Sequence, residues 1–210
     1  MGNELINFLA SIAVIFPAFL IALSFHEFSH ALVATLLGDD TAKKSGRLTI
    51  NPFAHLDLIG TLFLLIFRIG WARPVPFDLR NFKYPRLYSI LTALAGPSAN
   101  FILAFVFFFF IKYFPITYFP VNVSKSFIDV FMATAYINVM FGIFNLLPIP
   151  PLDGSHFITA LLYKRFPNVV AWLYRYSFFI LIFLFFLPVT RMMLINLIAG
   201  TFEFIKNLVL

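Results

Sequence analysis

The sequence predicts an all-α polytopic membrane protein, with four to five transmembrane helices plus a short re-entrant or β element on the cytoplasmic side. Three observations carry this. Of 210 residues, 61% are hydrophobic and 11% charged, with a mean hydropathy of +0.94; a soluble domain carries about 25% charge. The apolar residues come in long runs: 5–37 holds Glu27 as its one formally charged side chain, and 88–111 holds none. About 20 such residues cross a bilayer. The basic residues sit in the loops between runs, as topology determinants do. That placement also excludes nucleic acid as the partner of the +6 net charge. Thirty-one Phe against two Trp suits lipid-facing surface. With no Cys, a disulfide framework and a thiolate metal site are both excluded.

Taken in order, 5–37 reads as one helix about 50 Å long, more than the roughly 30 Å hydrocarbon core. Pro17 kinks or tilts it, and Gly38-Asp39-Asp40 stops it. The run is too long for a signal-peptide core and lacks a basic leader, so it is expected to stay in the protein. Residues 39–57 are polar, with an alternating piece, 47–50, that reads as a strand. The apolar stretch 58–69 is too short to span and is expected as a re-entrant or interfacial hairpin. Residues 71–86 are rich in Pro and basic side chains. Further spans are expected at about 88–111, 127–147 and 169–187, and 190–209 reads as a weak span or an interfacial helix. The whole of 1–210 is expected to form one membrane-embedded domain, with a core of about 5–165 and C-terminal helices over 168–209.

Segment 39–87 holds eight of the fifteen basic residues, among them Lys43, Arg73 and Arg86. The positive-inside rule makes this segment cytoplasmic and the N-terminus external in a multi-pass cell-membrane protein. If the hydrocarbon begins near Leu5, His26 lies about 32 Å further along the helix, in the cytoplasmic half of the bilayer.

The first span carries His26-Glu27-Phe28-Ser29-His30. Residues i and i+4 share a helix face, so both imidazoles reach one zinc ion, and the Glu between them can polarise a water there. The plainer reading is two buried, hydrogen-bonded histidines. Three ionisable groups within five residues of an apolar span cost several kcal/mol without partners, and a divalent cation supplies one. A catalytic zinc takes three protein ligands. The third comes from Asp39, Asp40, Asp57, Asp78, Asp129, Asp153, Glu203, His55 or His156. Asp153 stands out because it follows the Pro-rich stretch Asn145-Leu146-Leu147-Pro148-Ile149-Pro150-Pro151-Leu152. Non-helical backbone at membrane depth is tolerated where it is buried in protein or lines a wet cavity. A solvated Asp after an exit turn is the competing reading.

The pair of motifs, HEFSH on the first span and NLLPIPPLDG later, closely resembles the site-2 protease family of intramembrane metallopeptidases, in its short form without a PDZ domain. Gly96-Pro97-Ser98-Ala99-Asn100 is similar to that family's G-x-x-x-N element, and the likeness extends over roughly 10–165. The resemblance implies His26, His30 and Asp153 as ligands of one Zn2+ per chain and Glu27 as general base. It implies that Asn145 holds the substrate backbone or the developing oxyanion, and that the substrates are transmembrane protein segments that unwind locally. Substrate presentation then falls to the membrane core or to an adaptor protein. Residues 47–50 are a candidate edge for β-augmentation by the substrate.

Weaker readings attach to other residues. His156 is expected beside the ligands or at a helix start, and His55 as support for a turn. Gly96 and Ala99 are expected to permit close helix packing, and Asn100 to contact the re-entrant region. The Phe107–Phe110 run is expected to face lipid, and Arg175 to snorkel. The rival from another class is a zinc-binding transporter or sensor without proteolysis; it gives Glu27 no task.

Overall fold

The computed structural model describes residues 2–67, 70–114 and 118–210. Its α-helices, in order, are α1 (Gly2–Leu36), α2 (Thr41–Lys44), α3 (Leu58–Phe67), α4 (Pro85–Tyr113), α5 (Val121–Asn145), α6 (Gly154–Leu162), α7 (Pro167–Phe186) and α8 (Pro188–Val209). Among the described residues, five helices (α1, α4, α5, α7 and α8) are long and apolar enough to cross a membrane. The tail expected as a weak span or an interfacial helix is a helix long and apolar enough to span. Proline marks the starts. Pro85, Pro167 and Pro188 open α4, α7 and α8, where a missing N–H costs nothing, and Pro120 precedes α5.

α1 ends as its sequence requires. Asp39 N donates to Ala34 O at 2.9 Å and Gly38 N to Thr35 O at 3.1 Å, with Gly38 at φ +105°. This pair of bonds needs a left-handed residue, which glycine adopts without strain. Asp39, fully buried, then accepts four hydrogen bonds: from Thr41 N and Oγ1, from Asp78 N at 2.7 Å and from Asn81 Nδ2 at 2.7 Å. Burial pushes its carboxyl up, but these bonds outweigh it and hold the group below its ordinary range. The end of α1 is thereby fastened to Asp78 and Asn81, at the start and end of a 3-10 turn.

Residues 47–50 are irregular, with a bend at 48 and 49, and among the described residues there is no β-strand. The backbone of this piece is engaged in local bonds: Thr49 N donates to Arg47 O, and Thr49 O accepts from His55 Nε2 at 2.8 Å. The β-edge expected there is absent. Among the described residues, the one pairing of this type is an isolated antiparallel bridge, Leu56 with Ala72, reinforced by Arg73 N donating to His55 O at 2.8 Å. The chain thus leaves at Leu56, runs through the ten residues of α3 and returns at Ala72, a hairpin too short to span. Arg68 and Ile69, which end the apolar stretch read from the sequence, lie outside the described residues.

α1, α4 and α5 form the centre. α4 is antiparallel to α1 and to α5: His30 meets Thr92 while Ala22 meets Asn100, and Phe101 packs on Gly142 while Phe107 packs on Phe131. α8 runs in the direction of α4. Phe185, just before it, lies 5.7 Å (ring centroids) from Phe144 near the end of α5; Phe202 lies 5.2 Å from Phe108; and Lys112 Nζ donates to Val209 O. Phe108 is fully buried, so the Phe107–Phe110 run is not all lipid-facing. Four consecutive helical residues point around the whole circumference, and one must meet the bundle.

Candidate metal centre

α1 presents His26 and His30 on one face, with their Nε2 atoms 3.0 Å apart. The third member arrives from the turn after α5. Pro148, Pro150 and Pro151 prevent the helix from continuing, and α6 restarts at Gly154. A Cβ at Gly154 would lie 2.2 Å from Leu146 O and 2.6 Å from Leu147 O, so the fold-back requires glycine. It brings Asp153 Oδ2 to 3.0 Å from His26 Nε2 and 3.3 Å from His30 Nε2. Residues 123 and more positions apart in sequence thus converge on one point.

Hydrogen positions at this point follow from the neighbours. His30 Nδ1 lies 2.6 Å from the main-chain oxygen of Thr92, which can only accept, so Nδ1 carries the proton. His26 Nδ1 lies 2.6 Å from Asn100 Oδ1, and Asn100 Nδ2 donates to Ala22 O and Asn138 Oδ1, each at 3.0 Å. The oxygen of Asn100 therefore faces His26, which donates to it. In its neutral form each imidazole then turns an unprotonated Nε2 towards Asp153 Oδ2, itself a buried atom. Three lone-pair atoms face one another without a donor, an arrangement that a cation satisfies. Ligands at about 2.0–2.2 Å around a tetrahedral ion sit roughly 3.3–3.6 Å apart, within a few tenths of an ångström of these separations. His26, His30 and Asp153 could hold a metal ion on geometry and donor type alike.

Gly96 on α4 faces the same point. A Cβ there would stand 2.4 Å from His30 Nε2 and 2.7 Å from His26 Nε2. Its smallness makes room for the imidazoles, a tighter demand than helix packing. A cavity of about 480 Å³ opens beside the three residues, lined also by Glu27, Asn145, His156, Phe19, Phe141, Phe144 and the segment Gly70–Phe77. Glu27 is 8% exposed, and its Oε2 accepts from Val75 N at 3.2 Å. Asn145 Nδ2 donates to Phe141 O at 3.0 Å, which uses one of its two N–H groups. His156 lies in the first turn of α6, its ring 5.3 Å from Phe77 and outside the converging trio. His55 is buried in the turn at 49–55, away from this cavity.

Asn100 does not contact the re-entrant region; it lies between His26 and Asn138, because α4 crosses α1 at this level. Sequence reasoning did not single out Thr92 or Asn138. A main-chain acceptor such as Thr92 O leaves no trace in residue type. Asn138 did leave one, since a lone amide in an apolar span needs a partner, and it lies two turns before Asn145 on the same helix face.

Residues 115–184 match the model of Peptidase family M50. Over 171 residues, 80% of this chain and 78% of the relative, the sequence is 40% identical to "Putative zinc metalloprotease YwhC" of Bacillus subtilis. It is 26% identical over 205 residues to "Putative zinc metalloprotease Rip2" of Mycolicibacterium smegmatis, covering 95% of this chain and 76% of that protein. No solved structure matches the chain significantly. With 40% identity across four fifths of its length, and with the family model matching the region that supplies Asp153, the chain belongs to Peptidase family M50.

Proposed function

We propose that His26, His30 and Asp153 hold the one zinc ion of this intramembrane metallopeptidase, that Glu27 is its general base and that Asn145 steadies the oxyanion. The observation that carries the reading is the convergence of His26 Nε2, His30 Nε2 and Asp153 Oδ2 to within 3.3 Å of one another. Zinc bound there supplies Lewis-acid polarisation of a peptide carbonyl and lowers the pKa of water. Glu27 does the proton work. Its Oε2 is anchored by the Val75 N–H, while Oε1 carries no hydrogen bond among the described residues. Oε1 takes the proton from the attacking water and returns it to the leaving amide nitrogen, so hydrolysis yields one carboxyl and one amine. Asn145 donates its second N–H to the carbonyl oxygen as charge develops there, adding no net charge to a low-dielectric site.

The substrates are transmembrane protein segments, unwound where they enter the cavity beside Glu27 and presented by the membrane core or by an adaptor protein. Residues 1–210 act as one unit whose core is about 5–165, with the helices over 168–209 packed against it. The N-terminus is external and the zinc lies in the cytoplasmic half of the bilayer. Eight of fifteen basic residues in 39–87 support this orientation.

Elemental analysis and cleavage of a single-span substrate in proteoliposomes test the assignment. His26→Ala, His30→Ala and Asp153→Ala lose zinc and activity, while Glu27→Gln keeps zinc and loses activity by orders of magnitude. Zinc retained in Asp153→Ala but lost in His156→Ala would reassign the third ligand. Vesicle zinc transport that is indifferent to Glu27→Gln, without proteolysis, would replace the peptidase reading. In this Cys-free chain, Ser45→Cys should react with impermeant thiol reagents only from the cytoplasm and Asn122→Cys only from outside; the reverse pattern inverts the topology.

A further inference from the structure

We propose that Asn100 and Asn138 form a pair of positioning residues that keeps the Nε2 of His26 unprotonated, so that the orientation of one buried amide decides whether the site accepts a metal. The inference rests on the reading of His26 as a metal ligand and goes beyond it, to residues that touch no metal. The two histidines are held differently. His30 Nδ1 donates to the main-chain oxygen of Thr92, which can be nothing but an acceptor. His26 Nδ1 faces a side-chain amide, which presents oxygen or nitrogen depending on a rotation of about 180°. With nitrogen turned to His26, Nδ1 would have to accept and the proton would move to Nε2, directed at His30 and Asp153.

The surroundings fix the productive rotation. Asn100 is fully buried, and its Nδ2 donates to Ala22 O and to Asn138 Oδ1. A flipped amide would set Oδ1 against both of those acceptors. Asn138, also fully buried, cannot relieve the conflict by turning over, because its own Nδ2 donates to Thr134 O at 2.9 Å. The lock runs from a main-chain oxygen of α5, through two amides, to a ligand on α1. Its ends are carbonyls whose roles cannot reverse. Each of the three central helices supplies one side chain.

Zinc affinity, measured by competition with a chelator on purified protein, tests the lock. Asn100→Leu should weaken binding about 10–100-fold, the usual effect of losing a partner behind a ligating histidine. Asn100→Asp places its second oxygen against Ala22 O and Asn138 Oδ1 and so loses stability, yet it should bind zinc about tenfold more tightly than Asn100→Leu, because a carboxylate can only accept and enforces the same proton position. Asn138→Leu should weaken zinc binding in the wild-type background and not in the Asn100→Asp background, where no flip remains to prevent. A merely structural role predicts otherwise: a buried carboxylate would do as much harm as leucine, and the loss at position 138 would be equal in both backgrounds. Either result overturns the proposal. If the leucine variants do not fold, the metal-free wild-type protein decides by NMR. An exchange-protected proton on His26 Nδ1 supports the lock, and its absence refutes it. His26→Ala separates the two levels: zinc retained there removes the ligand reading itself, whereas zinc lost there with Asn100→Asp equal to Asn100→Leu removes only the positioning pair.

Discussion

α5 and α7 are almost equally apolar, yet seven residues of α5 are buried and one, Val170, of α7. What separates them is the residues that apolarity averages away. α5 carries Thr134, Asn138 and Gly142, all buried, and each has a reason to face protein: a hydroxyl, an amide that needs partners, and a gap that admits the Phe101 ring. From Phe178 onward α7 offers only Phe, Ile and Leu, which lipid solvates as well as protein does. In a bilayer, mean hydropathy identifies which segments are helices in lipid, and small or polar residues identify which of those helices are central.

Substitutions sharpen or break this contrast. The largest effect is expected from Gly96→Ala. The added methyl would overlap both imidazoles, and moving the rings by about 1 Å should cost 100-fold or more in cleavage, with matching loss of zinc. Near-normal zinc content would show that the rings have room the geometry denies them. Asp39→Ala comes next. It leaves Asp78 N and Asn81 Nδ2 without their acceptor, for a loss of about 1–3 kcal/mol, seen as faster hydrogen exchange over 78–82. Because the folded carboxyl titrates below its ordinary 3.8, its contribution is complete above that pH and is lost as pH falls through the lower folded value. Gly142→Ala is milder. Its methyl would sit 3.1–3.3 Å from the Phe101 ring, which can shift by tenths of an ångström, so about 1 kcal/mol of thermal stability is expected to go. Phe178→Leu on α7, at a side chain 68% exposed, should change stability by less than about 0.5 kcal/mol. A loss as large as that of Gly142→Ala would mean that α7 has a protein neighbour after all.

The spans were legible because each is a long uninterrupted apolar run, and the stop at Gly38 because a helix ending there requires a left-handed residue. The trio His26, His30 and Asp153 was legible as a candidate because ionisable side chains are rare in lipid and the Pro-rich turn announces broken helix at depth. Residues 47–50 misled, since alternation over four residues says nothing about whether the backbone is already committed to a turn. Thr92 acts through its main chain, which no pattern reveals, and the pairing of Asn100 with Asn138 depends on how α4 and α5 cross. The direction of α8 could not be read either, because two adjoining apolar helices look the same in sequence whether they fold back on each other or diverge.

The distance along the chain between His30 and Asp153, 123 residues, imposes an order on the making of this protein. During synthesis α1 meets the membrane before α4, α5 and α6, with His26, Glu27 and His30 aboard and none of their partners from those helices yet made. Its long apolar flanks must carry these groups into lipid unaided. Thr92 and Asn100 arrive with α4, Asn138 with α5, and the last oxygen only when the chain has turned at Gly154. Any nascent chain shorter than that holds two imidazoles without the acid that completes their set. On the proposed ligand set, loading with metal therefore belongs to the end of assembly, after the three central helices have met.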